Sequence, residues 1–133
     1  MRTPLSTAQE FPTLLFDADM ARAGQLAARL QECHIQIVVA LGADDALRAA
    51  KHSQFRVLVV TAKASNRESL DFLATLRRAA PRSWVVTISP KINPTTEALL
   101  RRFGADAVVS SPVNVQELAR RISLLQVRSR PSF

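Results

Sequence analysis

Residues 101–112 read Arg-Arg-Phe-Gly-Ala-Asp-Ala-Val-Val-Ser-Ser-Pro, and both of the chain's periodicities meet in them. A helical pattern runs out at Phe103, and Gly104 supplies the residue type that closes a helix in the left-handed region at little steric cost. Asp106–Ser110 then reads as a short β-branched strand, with Pro112 ending it.

Outward from this stretch the same unit recurs. Strand patterns lie at Pro12–Asp17 (PTLLFD), Ile35–Ala40 (IQIVVA), Phe55–Thr61 (FRVLVVT) and Trp84–Ser89 (WVVTIS) as well as at Asp106–Ser110. The third and fourth are almost continuously apolar, as parallel strands covered on both faces are. Helical patterns fill the intervals at 20–33, 44–52, 66–80, 94–103 and 115–126. In the last of these Val115, Leu118, Ala119, Ile122 and Leu125 form one apolar stripe, and Arg120 and Arg121 fall outside it.

Start signals support these boundaries. Asn114 with Glu117, and Ser65 with Glu68, have the spacing of a cap side chain and a carboxylate one turn later. Asn93-Pro94 sets a cap before a proline at the first helical position. Strict strand–helix alternation with short connections predicts a three-layer α/β/α domain around a five-stranded parallel sheet with right-handed crossovers. The domain is expected over 12–126, with 1–11 an N-terminal tail and 127–133 a C-terminal tail or the start of a linker.

The 133 residues suffice for one core without disulfides, and with 47% hydrophobic and 22% charged residues the composition is that of an ordinary globular chain. A lone cysteine, Cys33, excludes an internal disulfide framework. There is no apolar run long enough to span a bilayer, and Met1–Phe11 lacks the pattern of a secretory signal. A cytoplasmic location is expected. Cys33, His34 and His52 are scattered and make a poor metal set, and no Gly-rich phosphate loop or nucleophile elbow occurs.

Several pieces together resemble the receiver domain of bacterial response regulators, the CheY-like module of two-component phosphorelays. They are TLLFDAD (13–19), VLVVT (57–61), VVTIS (85–89), RRFGAD (101–106) and SSP (110–112). The resemblance covers about residues 12–126 and implies a flavodoxin-like sheet of order 2-1-3-4-5, with the functional crevice at the carboxyl ends of its strands.

It also implies a phosphorylation site, and here this sequence departs from the family. The nucleophilic Asp ending the third strand is Thr61, whose neutral hydroxyl cannot form the acyl phosphate. In the acidic pair after the first strand Asp17 is kept but its neighbour is Ala18, and Asp19 is better placed to cap the first helix. A weak cation site at Asp17 and Asp19 is the alternative to an isolated Asp17 held by backbone donors or by Lys63 or Arg67. The phosphate-gripping Lys is Ser111, whereas Ser89 and Pro112 keep the family's hydroxyl and proline. The resemblance implies a cis Ser111-Pro112 bond. Val108 replaces the relaying aromatic, and the loop AKASNRES (62–69) lacks the usual Pro and Gly. No catalytic residue, cofactor or metal is expected, and the chain is not read as an enzyme.

The net charge of +7 is unevenly placed. Residues 1–76 hold eight basic and eight acidic groups, whereas residues 77–133 hold ten basic groups against Glu97, Asp106 and Glu117. Glu97 can pair with Arg101 and Glu117 with Arg121 at helical spacing. The excess is either a solvated Arg-rich surface or a docking site carrying Arg101, Arg102, Arg120 and Arg121. By resemblance the face of the fourth helix, fifth strand and fifth helix is where receivers dimerise and meet partners. The reading is thus an atypical receiver, or pseudo-receiver, in signal transduction or transcriptional regulation that works by phosphorylation-independent protein–protein interaction or dimerisation. The alternatives are nucleic-acid binding through the Arg surface and small-ligand sensing at the emptied site. With no Tyr and one Trp, stacking on bases has little support.

Overall fold

The computed structural model describes residues 11–52, 55–128 and 130. Its centre is the strand β3 (Val57–Thr61), which pairs in parallel with β1 (Thr13–Phe16) on one side and β4 (Trp84–Pro90) on the other. The edges are β2 (Ile37–Val39) and β5 (Ala107–Ser111), giving a five-stranded sheet of order β2-β1-β3-β4-β5. Crossing between the strands are α1 (Met20–Glu32), α2 (Ala43–His52), α3 (Arg67–Ala79) and α4 (Pro94–Arg102), and α5 (Val115–Gln126) follows β5.

The two-residue alternation of β3 divides the core. Leu58 and Val60 face a layer built from Ala46 and Ala50 of α2, Leu70, Leu73 and Leu76 of α3, and Leu100 of α4. Val57 and Val59 face Ala27 and Leu30 of α1 and Leu118, Ala119 and Ile122 of α5. Both faces of the strand are therefore dry, which is why its sequence shows no polar alternation. Burying a Leu or Ile side chain in such a layer contributes about 1.5–3 kcal/mol. The architecture is the three-layer, flavodoxin-like α/β/α fold of order 2-1-3-4-5.

Local chemistry sets the ends of the elements. Asp19, Asn66, Asn93 and Asn114 each accept a backbone N–H of the first turn of the helix that follows. For α3 this corrects the expectation of Ser65: Asn66 is the cap, accepting from Ser69 N at 3.0 Å. Gly104 takes φ +126° after α4. β2 is shorter than the pattern Ile35–Ala40: it is an edge strand that pairs only with β1, over Thr13–Leu15.

After α5 the chain stays on the amino-terminal end of the sheet. Trp84 Nε1 donates to Arg128 O at 3.2 Å, Arg56 Nη1 to Gln126 O at 3.1 Å, and Arg130 Nε to Asp106 Oδ1 at 3.0 Å. Of the expected tails, residues 1–10, 129 and 131–133 lie outside the described residues.

Candidate functional site: a capped carboxylate in the strand-end cleft

The chain leaves β1 for β2 on one side and later returns to β3 on the other, so a crevice opens at the carboxyl ends of β1 and β3. A cleft of about 820 Å³ occupies it, lined by Asp17, Ala18 and Asp19 after β1, Thr61 at the end of β3, and Ser111 and Pro112 after β5. The structure thus brings five of the residues expected at the degenerate phosphorylation site, with Asp19, into one cavity. Ser89 is buried at the end of β4, opposite Ser110, and is not one of the side chains lining the cleft. The Ser111-Pro112 peptide is cis.

Asp17 is the buried member, with 2% of its side chain accessible. Its Oδ1 accepts the Asp19 amide at 2.9 Å and Arg22 Nη2 at 2.8 Å, and its Oδ2 accepts Arg22 Nε. The expectation that Lys63 or Arg67 would hold this carboxylate is therefore corrected: the partner is Arg22, in the first turn of α1. Arg67 instead pairs with Asp71 at 3.2 Å and lies over the Phe103 ring.

The electrostatics follow from this contact. Burial pushes the Asp17 carboxyl up, but the Arg22 hydrogen bonds, the Asp19 amide, the guanidinium charge and the Thr61 hydroxyl together hold it below the ordinary carboxylate range. The same contact raises Arg22 above its usual value, against the smaller cost of its own burial. Asp19 is half-exposed and accepts the Arg22 amide at 3.1 Å as the cap of α1. Among the described residues no three His, Cys, Asp or Glu side chains come together as a metal site. The arrangement offers a neutralised carboxylate and neutral hydroxyls; it has no free carboxylate at the end of β3.

On α4 and α5 the basic residues separate into paired and unpaired groups. Arg101 binds Glu97 at 3.1 Å and the carbonyl of Asp106 at 2.7 Å, and Arg120 binds Glu117 at 2.8 Å. The Glu117 partner is thus Arg120, three residues on, and not Arg121. Arg102 and Arg121 are exposed, with no carboxylate in ion-pair contact among the described residues. Arg77, near the end of α3, is largely buried and bound to Asp106. Among the described residues no helix is long and apolar enough to cross a membrane.

No protein-family model matches the chain, and no curated protein matches it in sequence. Solved structures do match in shape. A pilus assembly-related protein from Burkholderia pseudomallei superposes with TM-score 0.75 at 18% identity, over 93% of this chain and 96% of that one. The receiver domain of a Francisella response regulator gives TM-score 0.74 at 20% identity, over 88% and 97% of the two chains. A CheY-like receiver domain protein from Methanospirillum hungatei gives 0.73 at 19%, over 87% and 93%. The chain has the fold of response-regulator receiver domains.

Proposed function

We propose that the chain is a signalling module of the receiver type that does not accept a phosphoryl group and acts by binding a protein partner in the cytoplasm. The observation that carries this reading is the Asp17–Arg22 pair facing a neutral Thr61. Phosphoryl transfer to a strand-end carboxylate needs a nucleophilic oxygen and a divalent cation to offset phosphate charge. Thr61 lacks the first, and the guanidinium of Arg22 uses the carboxylate that would help to hold the second. Two-point binding by Arg is strong and directional, so a hydrated Mg²⁺ competes poorly for Asp17.

The binding surface is assigned to the face of α4, β5 and α5. Its unpaired cations are Arg102 and Arg121, with the paired Arg101 and Arg120 beside them, so an acidic partner is favoured over a second copy of the same face. That a pilus assembly-related protein has a similar shape supports the use of this fold as an assembly module.

Incubation with acetyl phosphate and Mg²⁺, followed by intact-mass spectrometry at neutral pH, is expected to leave the mass unchanged. A stable phosphoryl adduct on Asp17 or Asp19 would overturn the reading.

A further inference from the structure

Arg22, Gln25, Leu26 and Arg29 share one face of α1 at the helical spacing i, i+3, i+4 and i+7, and all of them line the strand-end cleft. The cavity therefore extends past Asp17 along the helix, toward the start of α5 at Val115. Along this extension the lining is largely apolar, from Leu26, Ile88, Pro90, Pro112, Val113 and Val115. Two cations also border the cleft, Arg29 of α1 and Lys63 after β3. Among the described residues neither has a carboxylate in ion-pair contact.

The acidic groups of the cleft are already engaged. Asp17 is closed by Arg22, and Asp19 caps α1 with its second oxygen 4.0 Å from the same guanidinium. An entering anion meets two free positive charges and no free buried carboxylate. Thr61 and Ser111 add hydroxyl groups.

We infer that this cleft is a binding site for a small amphipathic anion, a ring system bearing one carboxylate, sulfonate or phosphate group. The ring would lie on the Leu26, Pro112 and Val113 wall, and the acidic group would be drawn to the cations at the border of the cleft, Arg29 or Lys63. The size agrees: about 820 Å³ falls in the range of about 300–1,000 Å³ usual for small-molecule sites. A nucleoside triphosphate fits less well, because two cations do not offset its charge. The inference is independent of the α4–β5–α5 face and of what that face binds.

The test is fluorescence titration of the intact 133-residue chain with 1-anilinonaphthalene-8-sulfonate, and with the neutral N-phenyl-1-naphthylamine as comparison. One saturable site is expected for the sulfonate, weakened roughly tenfold or more in Arg29→Glu/Lys63→Glu, as loss of charge-assisted contacts implies. The neutral dye should bind the double variant and the natural chain alike. Arg121→Glu, on α5 but not among the residues lining the cleft, should bind the sulfonate like the natural chain. All three exchanged side chains are exposed, so unchanged circular dichroism and thermal midpoint serve as the check on folding. Absence of saturable sulfonate binding, or equal binding by the double variant, overturns the inference.

Discussion

The guanidinium of Arg22 closes the carboxylate of Asp17 at two points, with Nη2 2.8 Å from Oδ1 and Nε bonded to Oδ2. Asp17 is buried, whereas Arg22 keeps 60% of its side chain in water, so the pair acts as a lid charge over a buried one. Removing the lid leaves a desolvated carboxylate with only the Asp19 amide and the Thr61 hydroxyl. Arg22→Met is therefore expected to cost about 1–2 kcal/mol at neutral pH, below the full cost of breaking a buried pair because Arg22 is partly screened. Urea denaturation measures it. The folded-state pKa of Asp17 lies below the unfolded value, so the stabilisation is fully present above about pH 4. It is lost as pH falls through the depressed native value. The gap between Arg22→Met and the natural chain should close over that acidic window, and a gap independent of pH would show that Arg22 acts by packing alone.

Rebuilding the carboxylate cluster should restore cation binding only when the lid is removed as well. Mg²⁺ in the millimolar range is expected to leave the thermal midpoint of the natural chain unchanged. Ala18→Asp/Thr61→Asp/Arg22→Ala should be less stable without the ion, from repulsion among its carboxylates, and should be stabilised by Mg²⁺ through mass action. Ala18→Asp/Thr61→Asp with Arg22 kept should respond less. Equal responses with and without Arg22 would remove the competition argued for it.

What the sequence disclosed and what it hid divide by range. The β3 and α5 patterns are local, and they place the two core layers correctly. Thr61, Ala18 and Ser111 can be grouped from the sequence because they stand at or just after strand ends, and the structure gathers them in one cleft. The partner of Asp17 was not legible: Lys63 and Arg67 are near across the loops, but only the turn after Asp19 aims Arg22 back at Asp17. Likewise the helical pattern of α3 does not distinguish Arg77 from the exposed Arg78 beside it. Arg77's partner Asp106 is 29 positions away, the residue just before β5. A long-range pair leaves no trace in helical periodicity. The signal available was Gly104, since a stop needing φ +126° also marks a close approach, here by Arg77 Cβ.

That approach makes Gly104 irreplaceable. A Cβ added there would lie 2.7 Å from Arg77 Cβ, and the φ of +126° is strained for any L side chain. Because backbone strain and steric overlap act together, Gly104→Ala is expected to destabilise by about 2–4 kcal/mol. Gly24→Ala, where an added Cβ has nothing within 4 Å, should be neutral or slightly stabilising. Paired urea titrations compare them; similar losses at both positions would dismiss the contact with Arg77.

Asp106 is expected to hold the amino-terminal end of the sheet together. Its Oδ2 accepts Arg77 Nη2 and, at 2.8 Å, the Val85 amide, and Arg130 Nε reaches both oxygens at 3.0 and 3.1 Å. Burial pushes the Arg77 guanidinium below its usual value, and Asp106 opposes that shift. Asp106→Ala leaves Arg77 Nη2 and the Val85 amide without their acceptor, and Arg77 with backbone carbonyls but no counter-charge, so a loss of about 2–4 kcal/mol is expected. Asp106→Asn keeps the acceptor without the charge and should recover part of it. Hydrogen exchange supplies a local readout: the Val85 amide should exchange faster in Asp106→Ala than can be explained by the global loss alone.

The face proposed for a partner yields the last prediction, because pairing leaves its free charge on few residues. Arg101 and Arg120 are held by Glu97 and Glu117 on their own helices, so charge available to a partner rests mainly on Arg102 and Arg121. A symmetric dimer through this face would set like charges against one another, and salt would then strengthen association by screening. An acidic partner predicts the reverse, because its attraction to exposed cations weakens as ionic strength rises. Sedimentation of the chain over a salt series should therefore show no association favoured by low salt. Anisotropy with a labelled oligoglutamate peptide should show binding that weakens with salt and is lost in Arg102→Glu/Arg121→Glu. Arg29→Glu/Lys63→Glu should keep the peptide binding, since those residues border the cleft and lie on neither α4, β5 nor α5. If the cleft variant loses the peptide and the face variant retains it, the acidic partner belongs to the cleft and the α4–β5–α5 assignment fails.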